Sequence, residues 1–290
     1  MSNNKTPKVE ETKWDLIIDA NDQFIKLNFK ELWDYRDLLW LWVRREYVGV
    51  YKQTILGPFW HFLSPIFGTV IFILVFGKIA KIPTDGIPMF LFYNAGLAAW
   101  NFFNGCFTSS SNAFISNAGI FGKVYFPRLI IPLASIISSL IKFGIQFGLF
   151  ILFFVYFVIA KNYHPVIGIG LLLLPLCLLI FSGIGFGFGI LISAITTKYR
   201  DLNILVGFII QLLMYATPII YPLSSVAYPL KKYLLINPLA APMEAFKYAL
   251  FGNGDFSIQS LFYSIGCMLI LIFIGIISFN RAEKNFMDTI

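Results

Sequence analysis

The chain has 290 residues, of which 58 % are apolar and only 13 % charged, with a net charge of +7. Soluble domains carry roughly 25 % charged residues, so this chain has too little polar surface to cover itself and its solvent must be lipid. That excludes a soluble enzyme and a disordered chain, and a transmembrane barrel would show short alternating segments instead.

Residues 1–29 form a polar tail of mixed charge with no secretory signal. The first 57 residues hold nine of the 22 Lys and Arg and nine of the 15 Asp and Glu. The basic excess elsewhere is spread over loops rather than gathered in a dense stripe, so nucleic acid is not an expected partner.

Residues 30–57 are predicted to form a cytoplasmic amphipathic helix and its exit. At 100° per residue, Leu32, Tyr35, Leu39, Trp42, Val43 and Val50 share one side, and Lys30, Asp34, Asp37, Arg44, Arg45 and Lys52 the other. A helix of this kind lies in the membrane interface with its tryptophans at headgroup level. Glu46 breaks the apolar side, and Leu38, Leu41 and Val48 break the polar one. Those exceptions suit a helix that touches another protein; a passive membrane anchor is the alternative.

Six apolar stretches in 58–280 are long enough to cross a bilayer, at roughly 58–77, 87–112, 129–159, 165–195, 202–221 and 257–279. Lys142 interrupts the third, facing a cavity, a partner or, by snorkelling, an interface. In the fourth, Gly183, Gly185, Gly187 and Gly189 recur at every second position, which favours no single helical face but allows close approach of a neighbour or flexing. The expected fold is all-α: six transmembrane helices, an N-terminal interfacial helix and a periplasmic re-entrant segment. That segment, 222–250, is too broken by Pro222, Pro229, Pro238 and Pro242 to span and too apolar to float in water. Residues 281–290 form a C-terminal tail. With both termini cytoplasmic, the inner segments carry fifteen Lys and Arg against six outside, or nine against six when only the tail residues nearest the membrane count.

No G-x-x-x-x-G-K-[ST] motif occurs, so no P-loop hydrolysis is expected of this chain. His61 and His164 stand far apart, and Cys106, Cys177 and Cys267 lie in apolar runs without ligand spacing, so no metal site and no catalytic residue is expected. No Asp or Glu falls within the six stretches, which argues against an ion-driven transporter. Aromatic residues are abundant, with 32 Phe, 14 Tyr and 6 Trp. Such rings suit a path along which sugar C–H faces slide, and equally suit lipid-facing or core packing. Trp60, Tyr93, Trp100, Phe103 and Tyr215 are the candidate lining residues.

Five motifs stand in order: Tyr51–Trp60 (YKQTILGPFW), Gly122–Pro132 (GKVYFPRLIIP), Tyr199–Asp201 (YRD), Thr217–Pro222 (TPIIYP) and Asn237–Leu239 (NPL). The set resembles the membrane subunit of ABC-2-type polysaccharide exporters, and most of all the O-antigen permeases, over about 30–280. The resemblance implies a homodimeric channel in the bacterial inner membrane, paired with two copies of a separate ABC ATPase. This chain would hold no cofactor, and ATP and Mg would sit in the partner. It implies a polysaccharide substrate on undecaprenyl diphosphate, surrounded by membrane lipids. It further implies a coupling segment at 115–128, with Lys123, Tyr125, Pro127 and Arg128 against the ATPase, and a periplasmic gate at Tyr221, Pro222, Asn237 and Pro238. Arg44, Arg45 and Lys52 are candidates for the diphosphate entrance, since cations suit it by charge, or they face anionic lipid. Teichoic acid or capsule export, ABC-2 export of drugs or other lipids, an ion-driven lipid-sugar flippase and a non-transport scaffold or channel are the competing readings.

Overall fold

A 23-residue helix of only moderate hydropathy, Met89–Ser111, runs through the centre of the molecule. The computed structural model describes residues 29–51, 57–121, 126–166, 168–199 and 201–286, and all regular structure in them is helical. In chain order the helices are α1 (Phe29–Asp34), α2 (Arg36–Tyr51), α3 (Trp60–Phe72), α4 (Met89–Ser111), α5 (Ala113–Phe121), α6 (Ile130–Ala160), α7 (Leu173–Thr196), α8 (Leu202–Ala216), α9 (Tyr228–Leu234), α10 (Ala240–Phe251) and α11 (Ile258–Phe286). A π-helical stretch, Ile73–Ile79, continues α3, and a 3-10 turn, Ile169–Leu172, leads into α7.

Among the described residues, four helical segments are long and apolar enough to cross a membrane: Trp60–Ile79, Ile130–Ala160, Ile169–Thr196 and Ile258–Ala282. The other two expected crossings depart from that pattern for different reasons. Helix α4 carries Asn94, Asn101 and Asn104, which lower its hydropathy: Asn94 is among the sixteen of its 23 residues that the surrounding helices bury, while exposed Asn101 donates to Gln146 of α6 at 3.3 Å and Asn104 accepts from Thr108 at 3.1 Å. Helix α8 has 15 residues, about 22 Å of helix, and the Thr217–Pro222 turn follows its end.

Helix α7 is clasped between α4 and α11. A methyl group on Gly183 or Gly187 would strike Met268 or the Ile272 backbone of α11, and one on Gly185 or Gly189 would strike the Phe103 or Phe107 carbonyl of α4. The run is therefore two interleaved four-residue pairs on opposite faces, each letting one neighbour approach to backbone contact.

Much of the aromatic surplus is core. Phe143, Phe147 and Phe150 stack along α6 with centroids 5.3 and 5.6 Å apart, and meet Phe246 and Phe251 of α10 edge-on. A second, smaller core joins the start of α6 to α5, the end of α11 and helices α1 and α2.

The expected interfacial helix is divided by a turn at Tyr35. Leu32, Tyr35, Leu39 and Trp42 pack on this second core, and Val43 is buried. Trp33, Trp40, Leu41 and Val48 form an exposed outer face.

Candidate functional site

Helix α2 packs along α6, and its one inward carboxylate has two partners. Glu46 Oε1 lies 3.8 Å from Lys142 Nζ of α6 and accepts a hydrogen bond from Ser109 Oγ of α4 at 3.3 Å. The acidic residue that breaks the apolar face of α2 and the lysine that interrupts α6 thus satisfy one another. Beside them lies a cavity of about 470 Å³ lined by Trp42, Arg45, Glu46, Thr108, Asn112 and Asn117, among others. The Arg45 guanidinium stands 4.5 Å from the centroid of the Trp42 ring, a cation–π contact at the cavity wall. Arg44 is exposed on the outer side of α2. Lys52, the third entrance candidate, lies outside the described residues.

Of the coupling candidates, Lys123 and Tyr125 also lie outside the described residues. The 115–128 segment contains most of α5, then resumes at Phe126, whose ring sits 6.4 Å from that of Trp42. Pro127 begins the turn into α6, its carbonyl accepting from Ile130 N at 3.0 Å, and Arg128 is buried. This end of the segment is therefore tied to the same core that carries α1 and α2.

The five candidate aromatics separate into two groups. Tyr93 and Phe103 are fully enclosed in the core of a single chain, so neither presents a surface to a path within it. Trp60 and Tyr215 are half exposed, and Trp100, nearly buried, forms one end of a cavity between α4 and α8.

At the other end of the molecule the TPIIYP and NPL motifs interlock. Asn237 Nδ2 donates to Thr217 Oγ1 at 2.9 Å and to the Ala216 carbonyl at 3.3 Å, while Asn237 Oδ1 accepts from Leu239 N at 3.0 Å. Pro222 is buried, Pro238 half-buried in the turn before α10, and the Tyr221 hydroxyl donates to the Tyr215 carbonyl at 3.2 Å. Behind them stands a buried ion pair. Lys247 Nζ reaches Glu244 Oε1 at 3.3 Å and donates to the carbonyls of Pro218 at 2.5 Å and Tyr221 at 3.4 Å. Glu244 Oε2 in turn accepts from Asp255 N at 3.2 Å. Eleven of the twelve residues of α10 are buried, and none of α9 is.

A profile of the ABC-2 type transporter family matches residues 37–251. The chain belongs to this family. It is 24 % identical over 263 residues to the O-antigen export system permease protein RfbA of Myxococcus xanthus, covering 90 % of this chain and 98 % of that one. It is 28 % identical over 254 residues to an RfbA protein of Klebsiella pneumoniae, covering 87 % and 94 %. The polysialic acid transport protein KpsM of Escherichia coli is 26 % identical over 237 residues, covering 81 % and 89 %. Family and apolar helices together make this ABC-2 protein a multi-pass membrane protein.

Two ion pairs of this ABC-2 protein escaped the sequence reading. Glu46 and Lys142 were each visible as a misfit in an apolar pattern, which was the available signal. Glu244 and Lys247 stand three apart on one helical face, but nothing in a proline-broken stretch announces their burial. Among the described residues, no group of three or more His, Cys, Asp or Glu side chains is placed to hold a metal ion.

Proposed function

We propose that this chain is the permease subunit of an ATP-driven exporter of lipid-linked polysaccharide. The observation that carries the reading is the near full-length similarity to proteins named for two kinds of polysaccharide transport, O-antigen export and polysialic acid transport. The class of substrate therefore rests on more than one relative.

In this reading the chain is a transport subunit, forms a homodimer in the bacterial inner membrane, and works with two copies of a separate ATPase that binds ATP and Mg. Residues 1–29 and 281–290 are cytoplasmic tails, 30–57 an interfacial unit and 58–280 a six-span domain. Helix α4 serves as a span shielded from lipid by its neighbours, and α8 as a short span completed by the Thr217–Pro222 turn. Counting about 20 residues of hydrocarbon depth back from Ala160 puts Lys142 near the inner headgroup level. An ammonium there is in reach of water and of Glu46, which supports the interfacial position of α2. Exposed Arg44 and the Arg45–Trp42 pair, with Lys52, would meet the diphosphate of an undecaprenyl carrier. Residues 115–128 would receive the ATPase, with Lys123 and Tyr125 on the docking side. The 222–250 segment would be a re-entrant seal, because α10 is packed inside the bundle while α9 is not.

Deleting the gene tests the reading. Surface polysaccharide should disappear and lipid-linked glycan accumulate inside the cell. Wild-type gene should restore it only when the partner ATPase can hydrolyse ATP. Unchanged surface polysaccharide in the deletion strain would overturn the assignment.

A further inference from the structure

Two contacts set the register of α4 against α8. At one end Asn203 Nδ2 donates to Asn112 Oδ1 at 3.3 Å. At the other, Ile219, just beyond α8, lies against Gly96, where a methyl group would sit 3.1 Å from its side chain. The two segments therefore run antiparallel. In steps of four, α4 presents Asn112, Thr108, Asn104 and Trp100, while α8 presents Asn203, Gly207 and Gln211. The register puts Thr108 across from Gly207 and Asn104 across from Gln211. All seven line one cavity of about 620 Å³.

Between its closed ends the slot is open. A methyl group on Gly207 would meet nothing within 4 Å, unlike those on the packing glycines of α7. The opposite face of α8 carries the exposed side chains of Leu205, Phe208, Ile209 and Leu212. Polar groups on this helix are thus gathered toward α4. Thr108 Oγ1 donates to Asn104 Oδ1 at 3.1 Å and Asn112 Nδ2 to the Thr108 carbonyl at 2.9 Å, which leaves the Asn104 amide hydrogens and the Gln211 amide to the slot. Amide groups with free valences are costly against hydrocarbon and persist at membrane depth where they line a hydrated cavity. Their chemistry identifies the guest. No Lys, Arg, His, Asp or Glu lines the slot, so it is built for neither an anion nor a metal ion. Side-chain amides offer a donor and an acceptor together, which matches neighbouring hydroxyl groups on a sugar, and Trp100 closes the row with an aromatic edge.

We infer that the α4–α8 slot is a glycan-binding track, with Asn104, Thr108, Asn203 and Gln211 holding sugar hydroxyls as the chain passes. The inference rests on the polysaccharide-export reading.

The test uses the complete exporter in cells that make their own surface polysaccharide. A benzophenone amino acid replaces Gln211, Gly207 or, as the control on the opposite face, Leu212, and irradiated membranes are probed with antiserum to the surface glycan. Glycan adducts are expected from positions 211 and 207 and not from 212. Equal labelling from 212, or none from 211 and 207 in exporting cells, would overturn the slot. In parallel, Gln211→Leu and Asn104→Leu should each cut surface polysaccharide about tenfold, equivalent to ~1.4 kcal/mol, at unchanged membrane protein level, with Gln211→Asn retaining export. Normal export by both leucine variants would also overturn the slot, leaving the export reading intact if gene deletion abolishes surface polysaccharide. Polysaccharide that survives deletion would instead overturn that reading.

Discussion

The carboxylate of Glu46 sits 3.8 Å from the ammonium of Lys142, joining α2 to the middle of α6. Each side chain keeps about a third of its surface exposed, so the pair contributes little to stability, on the order of 0.2–1 kcal/mol. Its consequence is mechanical: α2 cannot slide along α6 without breaking it and the Ser109 hydrogen bond. Glu46→Gln and Lys142→Gln are expected to move the thermal midpoint in detergent by no more than roughly 2–4 °C, yet to reduce surface polysaccharide severalfold. The reversed pair, Glu46→Lys with Lys142→Glu, should recover part of the export. A charge swap no better than either single change would show that proximity is not interaction.

Lys247 and Glu244 are a different case, since both side chains are 2 % exposed. Removing one member of a buried pair leaves the other uncompensated, which costs about 3–5 kcal/mol. Lys247→Met also strips the Pro218 and Tyr221 carbonyls of their charged donor and lets the TPIIYP turn relax. It should lower stability to denaturant by that amount, while Lys247→Met combined with Glu244→Leu should regain part of it. Equal stability of Lys247→Met and wild type would remove the anchoring role.

The glycine pairs of α7 give a prediction with an internal control. Gly187→Ala puts a methyl 2.6 Å from the Ile272 backbone nitrogen, so α11 must move away, whereas Gly144 on α6 has open space at the same position. Gly187→Ala should destabilise by about 1–3 kcal/mol through overpacking. Gly144→Ala should hold or slightly raise stability, as a helix-interior glycine is about 0.5–1 kcal/mol worse than alanine. Thermal unfolding of the two variants side by side decides it.

The long apolar helices were legible because hydropathy accumulates over their length: α6 and α11 begin within a residue of the expected stretches. The signal weakens where tertiary structure replaces lipid as the solvent. Helix α4 is polar for its length because other helices surround it, and a single sequence does not reveal that enclosure. The break at Tyr35 is equally silent, since both sides continue the same apolar face. The α7 glycines were legible as sites of close approach, though not for which neighbours: positions two apart differ by 200° and positions four apart by 40°, so the run resolves into two faces, one against α11 and one against α4. Among the aromatics, composition cannot separate Tyr93 and Phe103, sealed in the core, from exposed Trp60 and Tyr215. The amides of the α4–α8 slot stand eight residues apart on each helix, Asn104 and Asn112 on one and Asn203 and Gln211 on the other, a spacing too wide to show as a polar stripe in an apolar run.

The last prediction concerns the proposed opening of the α9–α10 segment. Ser224 Oγ donates to Asp85 Oδ2 at 2.6 Å, and Asn253 Nδ2 reaches the Asp85 carbonyl at 3.4 Å. One residue of the loop after α3 therefore holds both flanks of the α9–α10 unit. Lys231 and Asp255 add an ion pair that ties α9 to the chain leaving α10. Individually such exposed contacts contribute little, which would suit the proposed seal, since a seal has to open for each substrate. If α9 swings away from the α3–α4 loop to release the glycan, tethering position 85 to position 224 must arrest export. Asp85→Cys and Ser224→Cys together, joined by a short cleavable bismaleimide, should stop the appearance of new surface polysaccharide, and reductive cleavage of the tether should restart it. Buried Cys106 and Cys177 are shielded from the reagent, and Cys267→Ser removes the half-buried third thiol. Each single cysteine variant treated with the same reagent should export normally. Continued export by fully cross-linked protein would show that the glycan leaves without separating these two positions, and the moving part would have to be sought on the α8 side of the segment.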